Sequence, residues 1–554
     1  KGNAYEPRSA TQIEEIRHQL AVAERKERER AEFFARLQQA LDGEVVAWAE
    51  SDRTRLEALE RCVLQPEQEV RVAKELLAEL KRQQTPQAAF ELLVDLGVWS
   101  PHENLFLRRS SYPNQFPQKV LTLAREYLVT PPSDRDGDTR FDLTHLKTYT
   151  IDDESTREID DGLSVELLEN GLERIWIHIA DPTRLVAPDD EIDLEARKRG
   201  TTLYLPTGST PMFPHELATG PMSLVQGQVC PALSFGVLLD ETGEIVDYSI
   251  QVSCVQPTYR LTYDDVDEML ELDLEAEPEI RALAKWAQKR RDWRRSQGAV
   301  EISLPEAAIK VDAAGEVAIE ILADSGSRQL VAEMMILTGE VAGRFASDRD
   351  VPLVFRGQPE PELPPEEELL QLPAGPVRSC AVRSCMARSE TGILPTRHSG
   401  LGLDTYTQVT SPIRRYADLL AHYQLKAHLR GEEPPFSRDR VQEIAYSASA
   451  SAYEATLVER QTKRYWALEF LSRHADEVWS ALVLRWLRPD DNLGIILLED
   501  LALELPHRFG REVNLGDRLD VRVFTVDPHQ DLIRFREVNE ATIAEAEATA
   551  AEPS

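Results

Sequence analysis

Cysteine is scarce in this 554-residue chain: Cys62, Cys230, Cys254, Cys380 and Cys385 are odd in number and scattered. That excludes a disulfide framework. Cys380 and Cys385 have no second Cys or His pair nearby to complete a zinc site, so free thiols in a reducing compartment are expected. No apolar run approaches the roughly 20 residues that a membrane-spanning helix needs. The polar start Lys1-Gly2-Asn3 has no signal-peptide core. A cytoplasmic protein without a membrane partner is the expectation. Positive charge is also short, with 63 Lys and Arg against 97 Asp and Glu and a formal charge of −34. This argues against coating nucleic acid by bulk electrostatics, although local patches suffice for binding. Lys289 to Arg295, with five basic residues in seven, is such a patch or else a solvated helix face. The length implies several domains, and no internal repeat is visible.

What is present is an unusual concentration of acids at strand ends. Thr148 to Ile151 has the pattern of a strand end, and Gly162 to Glu166 starts a second strand. Asn170-Gly171 turns that strand into a third, Arg174 to Ile179. The short loop between the first two carries Asp152, Asp153, Glu154, Glu158, Asp160 and Asp161. Carboxylates so close together repel one another unless cations sit among them, and hard oxygen ligands suit Mg²⁺ or Mn²⁺ rather than zinc. A solvated acidic turn is the bland alternative in a chain this acidic. Placement on rigid strand ends favours the site.

The spacing of Asp152, Glu158 and Asp160-Asp161, followed by His178-Ile179-Ala180-Asp181-Pro182, resembles the catalytic domain of the ribonuclease II/R (RNB) family of exoribonucleases. Further matches follow in family order. They are Arg197 to Pro206, Pro211-Met212-Phe213-Pro214, Glu333 to Ile336, His398 to Gly402 and Tyr406 to Leu419. The series spans about residues 140 to 475. The resemblance implies Asp152, Glu158, Asp160 and Asp161 as metal-holding acids, with Asp160 most tied to chemistry and Glu158 standing where the family usually has Asp. It implies Arg414 as a clamp on the scissile phosphate, with Arg415 beside it, and Tyr204 and Tyr263 as aromatics against terminal bases. The usual stacking partner of the first tyrosine is replaced by Ile309. Glu459 matches an acid near the channel that discourages product retention, or else lies on a solvated helix face. His178 and His398 are assigned structural or orienting roles, because metals generate the nucleophile and no Ser or Cys partner presents itself.

The expected architecture is multidomain α+β. Residues 1–65 are a helical N-terminal region and 66–130 a winged-helix module. In the latter, Thr85-Pro86 opens a helix, and Val98-Trp99 and Leu105 to Arg109 form short strands or a wing. The cold-shock domains usual in the family are absent before residue 130. Residues 131–140 read as a linker, 141–475 as the RNB-type catalytic domain of mixed, mainly antiparallel sheet and helices, and 476–540 as an RNA-binding OB-fold β-barrel. Residues 541–554 form an Ala/Glu-rich tail. Ser411 is expected to cap a helix that starts at Pro412 and places Arg414 and Arg415 in its first turn. Two arginines there oppose the helix dipole unless an anion such as an RNA phosphate is bound.

The combined expectation is a metal-dependent 3′→5′ exoribonuclease on single-stranded RNA, using Mg²⁺ or Mn²⁺ and no small organic cofactor. Nothing requires more than a monomer. A non-catalytic RNA-binding protein on the same scaffold and a metal-dependent nucleotide phosphohydrolase are the rivals.

Overall fold

The computed structural model describes residues 9–272, 276–322 and 324–538; the 541–554 tail lies outside them. Lys1–Ser111 and Tyr112–Ser554 are separate compact units. In the first, a long helix, Ala10–Leu41, is followed by helices Arg53–Leu64, Arg71–Glu79 and Pro86–Asp95. Their core gathers Phe33, Leu59, Leu77, Leu92 and Trp99. Thr85 caps the fourth helix, with Pro86 at its first position, as its sequence predicts. Leu105–Arg109 corrects the wing: it is a short helix, because the Asn104 side chain accepts the Leu107 N–H and closes a helical turn there.

The second unit is organised on a seven-stranded sheet. Its strands are β1 (Phe141–Asp142), β2 (Thr148–Asp152), β3 (Asp161–Leu167), β4 (Glu173–Ala180), β7 (Cys230–Leu239), β8 (Ile245–Val255) and β9 (Pro257–Thr262). The small hairpin β5 (Leu203–Leu205) and β6 (Gly208–Thr210) lies between β4 and β7 in sequence. The sheet order is β1-β8-β7-β4-β3-β2-β9, antiparallel except for the parallel pairs β1–β8 and β2–β9. Both faces are covered, which is why β4 and β7 are almost continuously apolar. One face packs Ile177, Phe235 and Val237 against Leu283, Leu330 and Met334 of two helices, Pro278–Ser296 and Gly326–Asp348. The other buries Trp176 and Ala232 with Ile192, Tyr416 and Leu419.

A buried polar chain crosses the sheet from Thr148 through Ser164, His178 and Ser234 to Ser253, with contacts of 2.6–3.0 Å. Burial pushes the His178 imidazole down to about 3, so it stays neutral and structural.

Three further ladders complete the unit. β10 (Glu306–Val311) pairs with β11 (Val317–Leu322), and β12 (Phe355–Gly357) with β13 (Glu390–Gly392). The third is a five-stranded antiparallel sheet of β14 (Val478–Arg488), β15 (Leu493–Leu498), β16 (Leu503–Arg508), β17 (Arg518–Asp527) and β18 (Leu532–Glu537), in the order β16-β15-β14-β17-β18. Its core includes Val483, Ile496, Leu505, Val521 and Phe535. The 36-residue helix Arg438–Arg473 leads into it.

Two expectations change here. The 131–140 stretch is not a loose linker: Asp134 and Asp136 join an ion network with Arg140, Asp181, Lys426 and Arg430. A 270 Å³ cavity beside it is lined by Asp134, Asp136, Lys426 and Arg430 of this network, and none of the acid-loop residues lines it. Nor is Lys289 to Arg295 a free basic patch. Arg290 pairs with Glu340, Arg294 with Glu333, Arg291 and Arg295 with Glu301, and Lys289 with Glu241.

Candidate active site

The acids gather where β2 ends and β3 begins. Asp152 closes β2, Asp161 opens β3, and the intervening loop is fastened on its far side. There the Ile159 N–H donates to Ser223 Oγ at 3.0 Å, Leu224 N–H to Ile159 O at 3.0 Å, and Ala180 N–H to Asp160 O at 2.7 Å. Buried Ile151 and Ile159 anchor the two ends of the loop, so the acids beside them turn into the site. Asp153 and Glu154 are exposed, as expected. Two arginines that the sequence reading missed hold this near side. Arg328 reaches Asp153 at 2.8 Å, and Arg260 donates to the Glu154 and Thr156 carbonyls. Both lie more than 100 positions away in sequence, so no local signal announces them.

Burial raises Asp152, Glu158, Asp160 and Asp161, and neighbouring acids of the cluster add to it at Asp152, Glu158 and Asp161. The carboxyl of Asp152 is pushed up to about 7 by burial and by Asp160. Glu158 also goes up to about 7, for the same two reasons. Burial lifts Asp160 to about 6 against the pull of Arg414, and Asp161 is raised well above the ordinary range by burial, Asp152 and Asp160. The protein's own cations do not balance this group. Asp152 Oδ2 is buried with no hydrogen-bond partner. An orphaned carboxylate oxygen among repelling oxygen donors fits a hard divalent cation. Among the described residues no group of three or more His, Cys, Asp or Glu side chains is placed to hold a metal ion by itself.

Thr410 to Arg415 packs against the cluster. The Ile413 N–H donates to Asp160 Oδ1 at 3.0 Å, and Arg414 Nε to Asp160 Oδ2 at 3.3 Å. The helix expected from Pro412 begins instead at Tyr416. The reason is pairing with Gly200 to Thr202: Thr202 N–H donates to Arg414 O and Tyr416 N–H to Gly200 O, both at 2.9 Å, while Arg415 is extended. Arg414 and Arg415 therefore precede the helix, and the dipole argument does not apply to them. Gly200 is required here, since it has φ +73° and a Cβ would meet Ala448 O at 2.5 Å. Arg415 is occupied by Asp418, at 2.6–3.1 Å, and by Thr410. Asp418 also takes the Ser411 N–H at 2.8 Å, so Arg415 braces the turn. The Arg414 side chain is 43% exposed.

Tyr204 on β5 stands beside Glu158, its hydroxyl 3.5 Å from Oε2, with the residue 42% exposed. Glu459 accepts the Tyr204 backbone N–H at 2.7 Å, so it lies on no solvated face: it fixes the strand that carries Tyr204. Tyr263 starts the helix after β9, next to the β2 end through the Asp152–Thr262 register. Burial and then Asp161 push its hydroxyl up to about 12. Arg328 covers one face of its ring at 4.1 Å. Ile309 is buried on β10. His398 is buried too, held against Tyr406. The structure thus brings together Asp152, Glu158, Asp160, Asp161, Arg414, Tyr204 and Glu459, with Tyr263 at one edge.

Residues 140–431 match the RNB domain model, and residues 13–105 match a double HTH domain. The chain is 63% identical over 543 residues to an uncharacterised ribonuclease of Synechocystis, covering 98% of this chain and 81% of that protein. It is 39% identical to the chloroplastic/mitochondrial ribonuclease II of Arabidopsis thaliana, over 96% of this chain and 68% of that protein. Among solved structures, Mycoplasma genitalium RNase R in complex with ribose-methylated single-stranded RNA superposes with a TM-score of 0.68. It covers 78% of this chain and 77% of that one at 19% identity, a likeness of fold.

Proposed function

This chain belongs to the RNB family of ribonucleases, and from that premise we propose that it is a 3′→5′ exoribonuclease hydrolysing single-stranded RNA processively to nucleoside 5′-monophosphates. The observation that carries the reading is the buried carboxylate cluster at the β2–β3 junction, with its orphaned Asp152 oxygen, set directly under Arg414. Asp152, Glu158, Asp160 and Asp161 would hold Mg²⁺ or Mn²⁺. When bound, such ions neutralise phosphoryl oxygens and ionise a water at neutral pH.

The remaining work falls to the chain's own groups. Arg414, anchored to Asp160 through Nε, turns its Nη groups to the scissile phosphate. Asp160 orients that guanidinium while the Ile413 N–H fixes the carboxylate, so a shift at either end misaligns both. Tyr204 offers its exposed ring to a terminal base, and Glu459 sets the angle of that ring by holding its backbone. Base stacking of this kind tolerates any sequence. Tyr263 has only its remaining face to offer, and Arg415 acts as a brace. The 2′-hydroxyl distinguishes RNA from DNA. Five free cysteines suit a reducing compartment, for which we propose the cytoplasm, and no described helix is long and apolar enough to cross a membrane.

The test is a 5′-labelled single-stranded RNA of about 30 nucleotides, incubated with Mg²⁺ or with EDTA, alongside Asp160→Asn. A short end product arising directly from full-length RNA, only with metal and only in the unmodified protein, is expected. RNA that is bound but intact in every metal would make the protein a binding module.

A further inference from the structure

The five-stranded C-terminal sheet resembles an OB-fold, whose ligands usually lie on the second and third strands and the loops beside them. Here that surface is taken. Leu482 and Leu484 of β14 and Ile495 and Leu497 of β15 point outward and are buried against Val377 and Cys380 of the Pro376–Cys385 helix. From the same helix Arg383 reaches Glu504 on β16 at 2.8 Å.

The opposite end of the sheet is different. Arg522 of β17 and Arg536 of β18 are direct cross-strand partners, and Arg534 follows on β18 opposite Thr525. Like charges placed directly opposite one another destabilise a sheet unless something neutralises them. Among the described residues the local acids do not. Glu537 pairs with Arg511, Asp531 with Arg464 and Glu499 with Arg518. Asp520 flanks the patch without bridging to it. Arg522 Nε is buried with no hydrogen-bond partner. Strand alternation puts Phe524 on the same outer face as Arg522, where it is 59% exposed, and the register slip from Val523 to Thr525 brings Thr525 onto that face opposite Arg534. The Arg536 guanidinium lies 4.7 Å from the centre of the Phe524 ring. In a chain with formal charge −34, three arginines with no acid partner among the described residues, set around an exposed aromatic, are complementary to a polyanion with flat bases.

We infer that the outer face of β17 and β18 grips single-stranded RNA: Arg522, Arg534 and Arg536 hold phosphates and Phe524 stacks on a base. This relocates RNA contact from the covered second-strand face to the last two strands. The inference rests on the exoribonuclease reading, which supplies a long strand to hold.

The experiment uses the full chain carrying Asp160→Asn and measures binding of a labelled single-stranded RNA of about 30 nucleotides across a salt series. Arg522→Gln, Arg534→Gln, Arg536→Gln and Phe524→Ala are compared, with folding followed by thermal melting. Arg534→Gln and Phe524→Ala alter exposed side chains and stay informative if Arg522→Gln misfolds. Each lost phosphate contact should flatten the salt slope by roughly 0.7, and Phe524→Ala should weaken binding on the order of tenfold without changing the slope. Arg536→Lys should keep the slope. Binding and slope unchanged in all four folded variants overturns the inference. So does a loss confined to Arg488→Gln, at the β14–β15 turn, since RNA would then follow the usual OB loops. The exoribonuclease reading is tested separately. If the unmodified protein with Mg²⁺ leaves a strand of about 10 nucleotides intact, that reading falls whatever the patch variants do.

Discussion

The acidic end of the catalytic sheet and the arginine face of the C-terminal sheet fail the same rule in opposite senses. At the β2–β3 junction, carboxylates crowd in burial with too few cations, and Asp152 Oδ2 is left without a partner. On β17 and β18, Arg522, Arg534 and Arg536 crowd with no acid paired to them among the described residues, and Arg522 Nε is left without a hydrogen-bond partner. The Lys289 to Arg295 helix is the contrast, since each of its five cations meets an acid. The buried acidic cluster calls for a cation, and the exposed basic one for an anion.

The largest expected effect comes from breaking the acidic side. Asp160→Asn keeps an acceptor for the Ile413 N–H but removes the charge, and should lower kcat on the order of 10³-fold with little change in melting temperature. A comparable loss of folding would mean the residue is structural. Arg414→Gln should cost about 10²-fold in kcat, more than Arg415→Gln costs through loosening its turn. Equal losses in single-turnover assays would erase the distinction between clamp and brace.

A pH series sharpens the comparison further. Asp152, Glu158 and Asp160 have folded-state values raised to about 7, 7 and 6, chiefly by burial. A carboxyl raised on folding favours the folded state at low pH, and that contribution is lost as pH rises through the folded value. In EDTA, melting temperature should fall between about pH 4 and 7, and Mg²⁺ should restore it mainly at the upper end. A flat profile in EDTA would mean the acids are already neutralised within the protein. The smallest effect is expected from Glu158→Asp. Removing one methylene should shift the Mg²⁺ half-saturation by less than about tenfold, measured by titrating activity against metal.

Much of this was legible in the chain. The alternation of β2 to β4, the Asn170-Gly171 hairpin and the acid spacing fixed which residues stand at the strand ends, because strand period and turn chemistry are local. The Thr85-Pro86 helix start was legible for the same reason. Three local readings failed where distant partners outcompeted local preference. Ser411-Pro412 has the composition of a helix start, yet pairing with Gly200 to Thr202 draws Arg415 into extended backbone and delays the helix to Tyr416. The proline- and aspartate-rich 131–140 stretch has the composition of a linker, yet Lys426, Arg430 and Arg140 capture its acids. Lys289 to Arg295 has the composition of a binding patch and is instead an internal ion ladder.

The sequence by itself determined the order of the acids at the strand ends and of the Arg414-Arg415 turn, since these depend on residue type and short spacing, and resemblance to the RNB family picked out which of them to propose as the site. Only the tertiary structure decided which charges are satisfied and which are not. Glu459 became the support of Tyr204, Arg328 the cover of Tyr263, and Arg383 was paired while Arg522 and Arg536 were left facing each other. The reason is physical: whether a charge is balanced depends on what lies within a few ångströms of it, and in this fold those neighbours come from more than 100 positions away along the chain.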